Sequence, residues 1–389
     1  MRFTFTSAGE SHGPQLTIIV TGMPAGVRLD RERINRDMAR RQHGYGRGGR
    51  MKIERDEALI VGGVRGGETL GSPVAIVVRN FDFDNWRGAM DPWEVDAAEA
   101  EKRRVHAPRP GHADLVGGMK YDRRDLRDVL ERASARETAS RVAAGAIAKE
   151  LLRAFDIEIR SGVVSVGAAG DPDASPSWDE LCAVDDDSPL RAVNRQHESA
   201  MVAEVDRARE LGETLGGAIV VAAHNVPVGL GSYVQWNEKL DGRIGQAILS
   251  IHAVKGVAVG DAVAAARRVG SEVHDAIYFD EVRRYHRTTN RAGGMEGGVT
   301  NGQDVVVRAY MKPISTLRRG LPSVDIDTRQ EHRSAWERSD VTAVAACGVA
   351  CEAMLAIVLA DAMREKFGGD SLAEMRRNYE AYLAELARY

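Results

Sequence analysis

The chain has 389 residues, 43% of them hydrophobic, 28% charged and 5% aromatic, enough apolar surface for a large core, so disorder is excluded as its main state. Its 53 basic and 57 acidic side chains leave a formal net charge of −4, which excludes a globally cationic nucleic-acid trap. Cys182, Cys347 and Cys351 form neither a disulfide framework nor a C-x-x-C or zinc set, and with no basic and apolar signal pattern in residues 1–12 a reducing cytoplasm is the expected location.

Residues 3–6 and 16–21 read as strands. Between them Gly9-Glu10-Ser11-His12-Gly13 has glycines on both sides of an imidazole, either an ordinary turn histidine or a proton carrier. Helical periodicity covers 28–41, and the arginine- and glycine-rich stretch 36–55 reads as a basic, flexible loop. A strand at 73–78 precedes a second basic island, Lys102-Arg103-Arg104 with His106, Arg109 and His112, also read as loop. Within it, Arg109-Pro110-Gly111-His112-Ala113-Asp114 sets a second glycine-flanked histidine beside an arginine; Asp114 either serves that site or pairs with a surface cation. Ser134 and Glu137 have the spacing of a capping box before a helix over 138–155, and Arg132 and Arg136 at that helix start suit a phosphate or carboxylate.

A strand at 157–166 leads into an acidic surface excursion over 170–189, followed by a strand at 218–222 and helices at 240–254 and 261–268. The glycine-dense loop 293–302 precedes a strand at 305–310 and then Lys312-Pro313-Ile314-Ser315-Thr316, whose lysine and hydroxyls suit phosphate oxygens. Arg338-Ser339-Asp340 stands before a helix over 341–367, where Asp340 is either a cap or a base. Residues 341–360 have the length of a membrane span, but their alanines, glycine and cysteines and the central Glu352 predict a helix buried in protein, with no membrane partner. A last helix covers 372–388. Without a steady strand–helix alternation the expected class is α+β, in one domain spanning 1–389. The five segments rich in Arg, His, Ser and Gly suit a small polyanion and a phosphate-bearing cofactor. No metal site is expected.

The blocks Gly9-Glu10-Ser11-His12-Gly13, Arg41-Gln42-His43-Gly44-Tyr45-Gly46-Arg47, 109–114, 134–139 with 141–146, and 338–340 stand in an order that closely resembles the chorismate synthase family along essentially the whole chain. The resemblance implies a β-α-β sandwich with helices packed between sheets, usually a homotetramer. It implies a lyase that eliminates phosphate from 5-enolpyruvylshikimate 3-phosphate in the 1,4-anti sense, needing reduced FMN without net redox change, the last step of the shikimate pathway. By resemblance His12 protonates the departing phosphate, His112 supplies a proton to the flavin, and Asp340 works with the flavin in removing the ring proton. Matching flavin positions are Arg132, Ala133, Ser134, His252, Ala253, Gly297, Lys312, Pro313, Ile314, Ser315, Thr316 and Arg338. Arg41 and Arg47 match positions for NADPH or substrate, and Arg109 and Arg136 for substrate. Ala133 stands where serine is frequent and His252 where asparagine is common in some members. The alternatives are an NADPH-dependent flavin reductase or oxidoreductase using the same pocket, and a nucleic-acid module built on 36–55; the net acidic chain, without aromatics interleaved among its bases, speaks against nucleic acid.

Overall fold

A computed structural model describes residues 2–48, 56–334 and 340–389. The first half builds an antiparallel sheet from β1 (Thr4–Ala8), β2 (Gln15–Thr21), β3 (Leu59–Gly62) and β4 (Val74–Arg79), in the order β1-β2-β4-β3. In β2 and β4 every second residue is apolar and buried, and the register sets Leu16 opposite Val78, Ile18 opposite Ile76 and Val20 opposite Val74. The two-residue period therefore gives one continuous apolar face.

A second antiparallel sheet combines β5 (Glu158–Val166), β6 (Ala169–Gly170), β7 (Gly217–His224), β8 (Val254–Val259) and β9 (Val305–Met311), in the order β8-β9-β7-β5-β6. Its central strand β7 is buried along nearly its whole length, because both faces are covered. Helices cover one face; Trp178 and Leu181 of the acidic excursion, with Val193 just beyond it, pack on the other.

The helices relevant here are α1 (Arg31–Gln42), α2 (Asp114–Tyr121), α3 (Arg127–Ala133), α4 (Thr138–Arg153), α5 (Arg195–Leu211), α6 (Leu240–Leu249), α7 (Val344–Phe367) and α8 (Leu372–Leu386). Helix α4 lies against β2, α7 lies against β5 and β7, and the two helices pack on each other between the sheets. Their backbones come close: a Cβ built on Gly145 would sit 2.3 Å from the Cβ of Ala353, so only glycine fits at that crossing. Helix α7 spans 24 residues and is long and apolar enough to cross a membrane, yet it is enclosed by protein. Its one interior acid before Asp361 is Glu352, fully buried, which accepts hydrogen bonds from Arg40 Nη2 at 2.8 Å, Lys149 Nζ at 2.7 Å and Ser161 Oγ at 2.6 Å. Burial alone would raise the Glu352 pKa; the charges of Arg40 and Lys149 outweigh it and hold the carboxyl well below the usual range.

The α+β class and the helices packed between two sheets agree with expectation. Several local readings change. Helix α6 stops at Leu249 instead of 254, because Ala253 takes a positive φ of 65° and β8 begins at Val254. The helix expected at 261–268 shrinks to Ala262–Ala265. Arg36, Arg40 and Arg41 belong to α1 rather than a loop, started by the Asp30 side chain, which accepts from the amides of Glu32 and Arg33. Lys102 and Arg103 likewise end a helix, Ala97–Arg103. Helix α5 was not anticipated, although Asn194 and Gly212 cap its two ends.

Candidate active site

The loop after β1, the end of α1, the α3–α4 junction, the turn before β8, the segment after β9 and the first turns of α7 converge on a cavity of about 500 Å³, a volume typical of small-ligand sites. On α7 the wall is Ala343, Ala346, Cys347 and Ala350, small side chains at helical spacing. Arg41, Arg47, Arg109, Arg136 and Lys312 bring five cations to the lining, against one carboxylate among the described lining residues, Asp340.

Both histidines are fixed by buried acids. His12 Nδ1 lies 2.7 Å from Glu131 Oε1, and the His12 amide donates to Oε2 of the same carboxylate at 2.7 Å. Burial favours a neutral Glu131, but the hydrogen bond and charge of His12, with Arg127, outweigh it and lower its pKa. His112 Nδ1 lies 2.6 Å from Asp114 Oδ1. Asp114 has no exposure and also accepts from Arg109 Nε at 2.8 Å and Nη2 at 2.9 Å. It is therefore no surface partner. Burial opposes its charge, yet the hydrogen bonds from His112 and Arg109 hold the carboxyl well below the usual carboxylate range. Because an ionised carboxylate only accepts, each Nδ1 carries the proton and proton transfer falls to Nε2. Gly111 makes the His112 turn possible, with a φ of 83° that side-chain-bearing residues rarely adopt.

Asp56 bridges two of the arginines: it pairs with Arg41 and accepts from Arg136 Nη1 at 2.7 Å. Burial raises its pKa, but the two guanidinium charges prevail and lower it. Asp340 caps no helix, since Ala343 occupies the N-cap of α7 without a side-chain bond. Its Oδ1 accepts from the Gly48 amide at 2.6 Å and its Oδ2 pairs with Arg47 Nη1 at 2.7 Å.

Of the other expected site residues, Ala133, Ser134, His252, Ala253, Lys312, Ile314, Ser315 and Thr316 line the cavity. Arg132 does not: it donates to Ser7 Oγ at 2.7 Å and to the carbonyl of Gly9. Pro313 and Gly297 are also off the lining, Gly297 lying in a hairpin near Tyr233. Arg338 lies outside the described residues. The expected capping box does not form, because a 3₁₀ turn, Ala135–Glu137, intervenes before α4. Ser134 Oγ instead accepts from the Arg136 amide and bonds Ser11 Oγ at 3.0 Å, while Glu137 pairs with Arg141. Glu131, Asp56 and the α7 wall were missed. Ala346, Cys347 and Ala350 on one helical face carried a signal in their small size; the two acids carried none, since their partners are remote in sequence.

A flat aromatic cofactor fits the residues present. The small α7 side chains leave an apolar wall, and buried His252 Nδ1 and Arg41 Nε have no hydrogen-bond partner among the described residues. Burial, reinforced by Arg141, His112 and Arg132 against the pull of Glu137, lowers the His252 pKa and favours a neutral ring.

A family model described as chorismate synthase matches residues 3–364. Among curated relatives, a chorismate synthase of Geobacter sulfurreducens is 53% identical over 386 residues, covering 97% of this chain and 98% of the relative. Another, from Solibacter usitatus, is 53% identical over 388 residues, covering 99% of each chain. A crystal structure of chorismate synthase superposes with a TM-score of 0.80 at 41% identity, covering 100% of this chain and 99% of that one.

Proposed function

The chain belongs to the chorismate synthase family and is a carbon–oxygen lyase that makes chorismate; from that premise we propose how its cavity divides the work. The substrate is 5-enolpyruvylshikimate 3-phosphate, two carboxylates and a phosphate on one ring. Such an anion calls for several guanidinium groups in a water-poor site, and Arg41, Arg47, Arg109 and Arg136 take that role. Asp56 holds Arg41 and Arg136 in place before substrate arrives, so little reorganisation accompanies the reaction. His12 gives a proton to the departing phosphate, with ionised Glu131 stabilising the imidazolium. His112, supported by Asp114, keeps a proton available at the cofactor. Asp340 receives the ring proton once a substrate carboxylate competes for Arg47 and releases the pair that occupies Oδ2.

Reduced FMN, when bound, lends electron density to C–O cleavage and regains it, so the elimination has no net redox change. Ala133, Ser134, His252, Ala253 and Lys312 with Ile314, Ser315 and Thr316 are the residues to hold it, against the α7 wall. NADPH enters only as a source of reducing equivalents. The observation that carries this reading is the convergence of five cations and two carboxylate-fixed imidazoles on a single cavity. No observation favours net hydride transfer, the reductase alternative. We further propose one domain, from the apolar cluster that runs through both sheets, and, from the family resemblance, a cytoplasmic homotetramer, for which the exposed Ile277, Tyr278 and Tyr285 offer apolar surface between copies. Light scattering tests the assembly.

The deciding assay is anaerobic: photoreduced FMN with 5-enolpyruvylshikimate 3-phosphate is expected to give chorismate and phosphate in equal amounts over many turnovers without consuming the flavin. Stoichiometric loss of reductant would overturn the reading. Repeating it with NADPH and oxidised FMN reveals whether this chain reduces its own cofactor.

A further inference from the structure

The segment after β4 returns to the His12 loop and is tied down there. Asn80 Nδ2 donates to the Gly13 carbonyl at 2.8 Å, and the Asn80 amide donates to Pro14 O at 3.0 Å. Six residues on, Trp86 lays its indole on the His12 ring, with centroids 3.8 Å apart and planes at 30°. Its Nε1 donates to Asp82 Oδ2 at 3.0 Å. The Arg103 guanidinium stands 3.9 Å from the indole centroid and Arg127 stands 5.3 Å from it. These cations are linked in turn: Arg103 Nη2 donates to Asn85 O at 2.9 Å, Arg127 Nε to Arg103 O at 2.8 Å, and Arg127 Nη1 to Glu131 Oε1 at 3.5 Å. Indole, Arg103, Arg127, Glu131 and His12 thus close a loop of contacts. Trp86 is half-buried and belongs to no apolar cluster among the described residues, so core packing does not account for it.

We propose that Trp86 is a positioning residue for His12: its indole face holds the imidazole against Glu131 and favours the protonated ring. This rests on the reading of His12 as the acid of the elimination. The charged groups around His12 make the need clear. Arg41, Arg47, Arg109, Arg136 and Lys312, with His112 when protonated, face the same cavity, Arg127 stands on α3 and Arg103 lies against the indole; all of them disfavour an imidazolium. Against them stand Glu131 and the electron-rich face of the indole, to which a cation is attracted.

The test has two arms. An imidazolium quenches a stacked indole, so the pH-dependent fluorescence of Trp86, isolated by subtracting the Trp86→Phe variant, is expected to show one step between about pH 5 and 8. That step should vanish when the same subtraction is made on a His12→Gln background. In the second arm, Trp86→Leu keeps an apolar cover but removes the π face. Turnover is expected to fall on the order of tenfold with KM changed by less than about twofold, and the alkaline limb of the kcat profile should move down by about half a unit to one unit. Trp86→Phe should restore most of the turnover and of the limb; Trp86→Met replaces the Leu variant if that fails to fold. A missing step, a step that survives His12→Gln, or an unchanged profile in the variant lacking the ring would overturn the proposal. Full turnover in His12→Gln alongside an intact wild-type step would instead remove His12 from the chemistry and leave the contact standing.

Discussion

His12 and His112 reach the cavity by the same device, a turn that offers the ring and a buried carboxylate that accepts a hydrogen bond from Nδ1–H. His12→Ala and His112→Ala are each expected to lower turnover about a hundredfold or more, the contribution of a general acid, in chains that still fold by far-ultraviolet circular dichroism. Wild-type turnover in both would contradict the assignment. The same acids predict a pH dependence of stability. Asp56, Asp114 and Glu131 have folded-state pKa values below their unfolded values of about 3.9 to 4.3, so the unfolded chain binds more protons as the solution is acidified. Their contribution is complete above that range and is lost progressively as the pH falls below it and through the lower folded-state values. Melting temperatures should therefore drop steeply below about pH 4, and Asp56→Asn should flatten that slope while lowering stability at pH 7, where Arg41 and Arg136 lose their shared counterion. The two glycine-flanked histidines were visible as sequence blocks. Trp86, Asp56 and Glu131 were not, because each acquires its meaning only from a side chain that the fold delivers from elsewhere in the chain.

At the level of elements, α7 presents alanine and cysteine to the cavity and Ala353 to the backbone of α4. Gly145→Ala must push the two helices apart and is expected to cost about 1 to 3 kcal/mol, read as a lower urea midpoint with an unchanged slope. Ala346→Leu would fill the wall instead, so flavin binding measured by fluorescence should weaken at least tenfold while the far-ultraviolet spectrum is retained. Tight flavin binding in this variant would show that the ring lies elsewhere. Elements with strong periodicity were legible: β2 and β4 alternate cleanly, and residues 341–360, most of α7, are an apolar run whose single charge, Glu352, pointed to burial in protein. Helix α5 buries only a narrow seam, Glu198, Met201, Val205 and Ala208, and its polar remainder obscured it. The capping-box reading failed because a 3₁₀ turn moved the start of α4 beyond the reach of Ser134.

Across the whole molecule, Glu352 joins layers that are far apart in the chain: Arg40 from α1, Lys149 from α4 and Ser161 from β5 all meet its carboxylate. Removing a buried partner leaves uncompensated charge, so Glu352→Ala is expected to destabilise by about 3 to 5 kcal/mol, measured by denaturant unfolding. A loss below about 1 kcal/mol would mean that water reaches Arg40 and Lys149. The arrangement of layers was legible only through family resemblance, since alternation and periodicity identify strands and helices but leave their spatial order open. Helix α7 forms the cavity wall along one side and carries this ionic knot in the protein interior. Its amides should therefore be among the last to exchange with deuterated solvent, opening only when the entire fold does. Ligand entry and product escape must then be accommodated by the segments across the cavity from α7, and natural variation in turnover speed should accumulate in those segments while the wall itself stays unaltered.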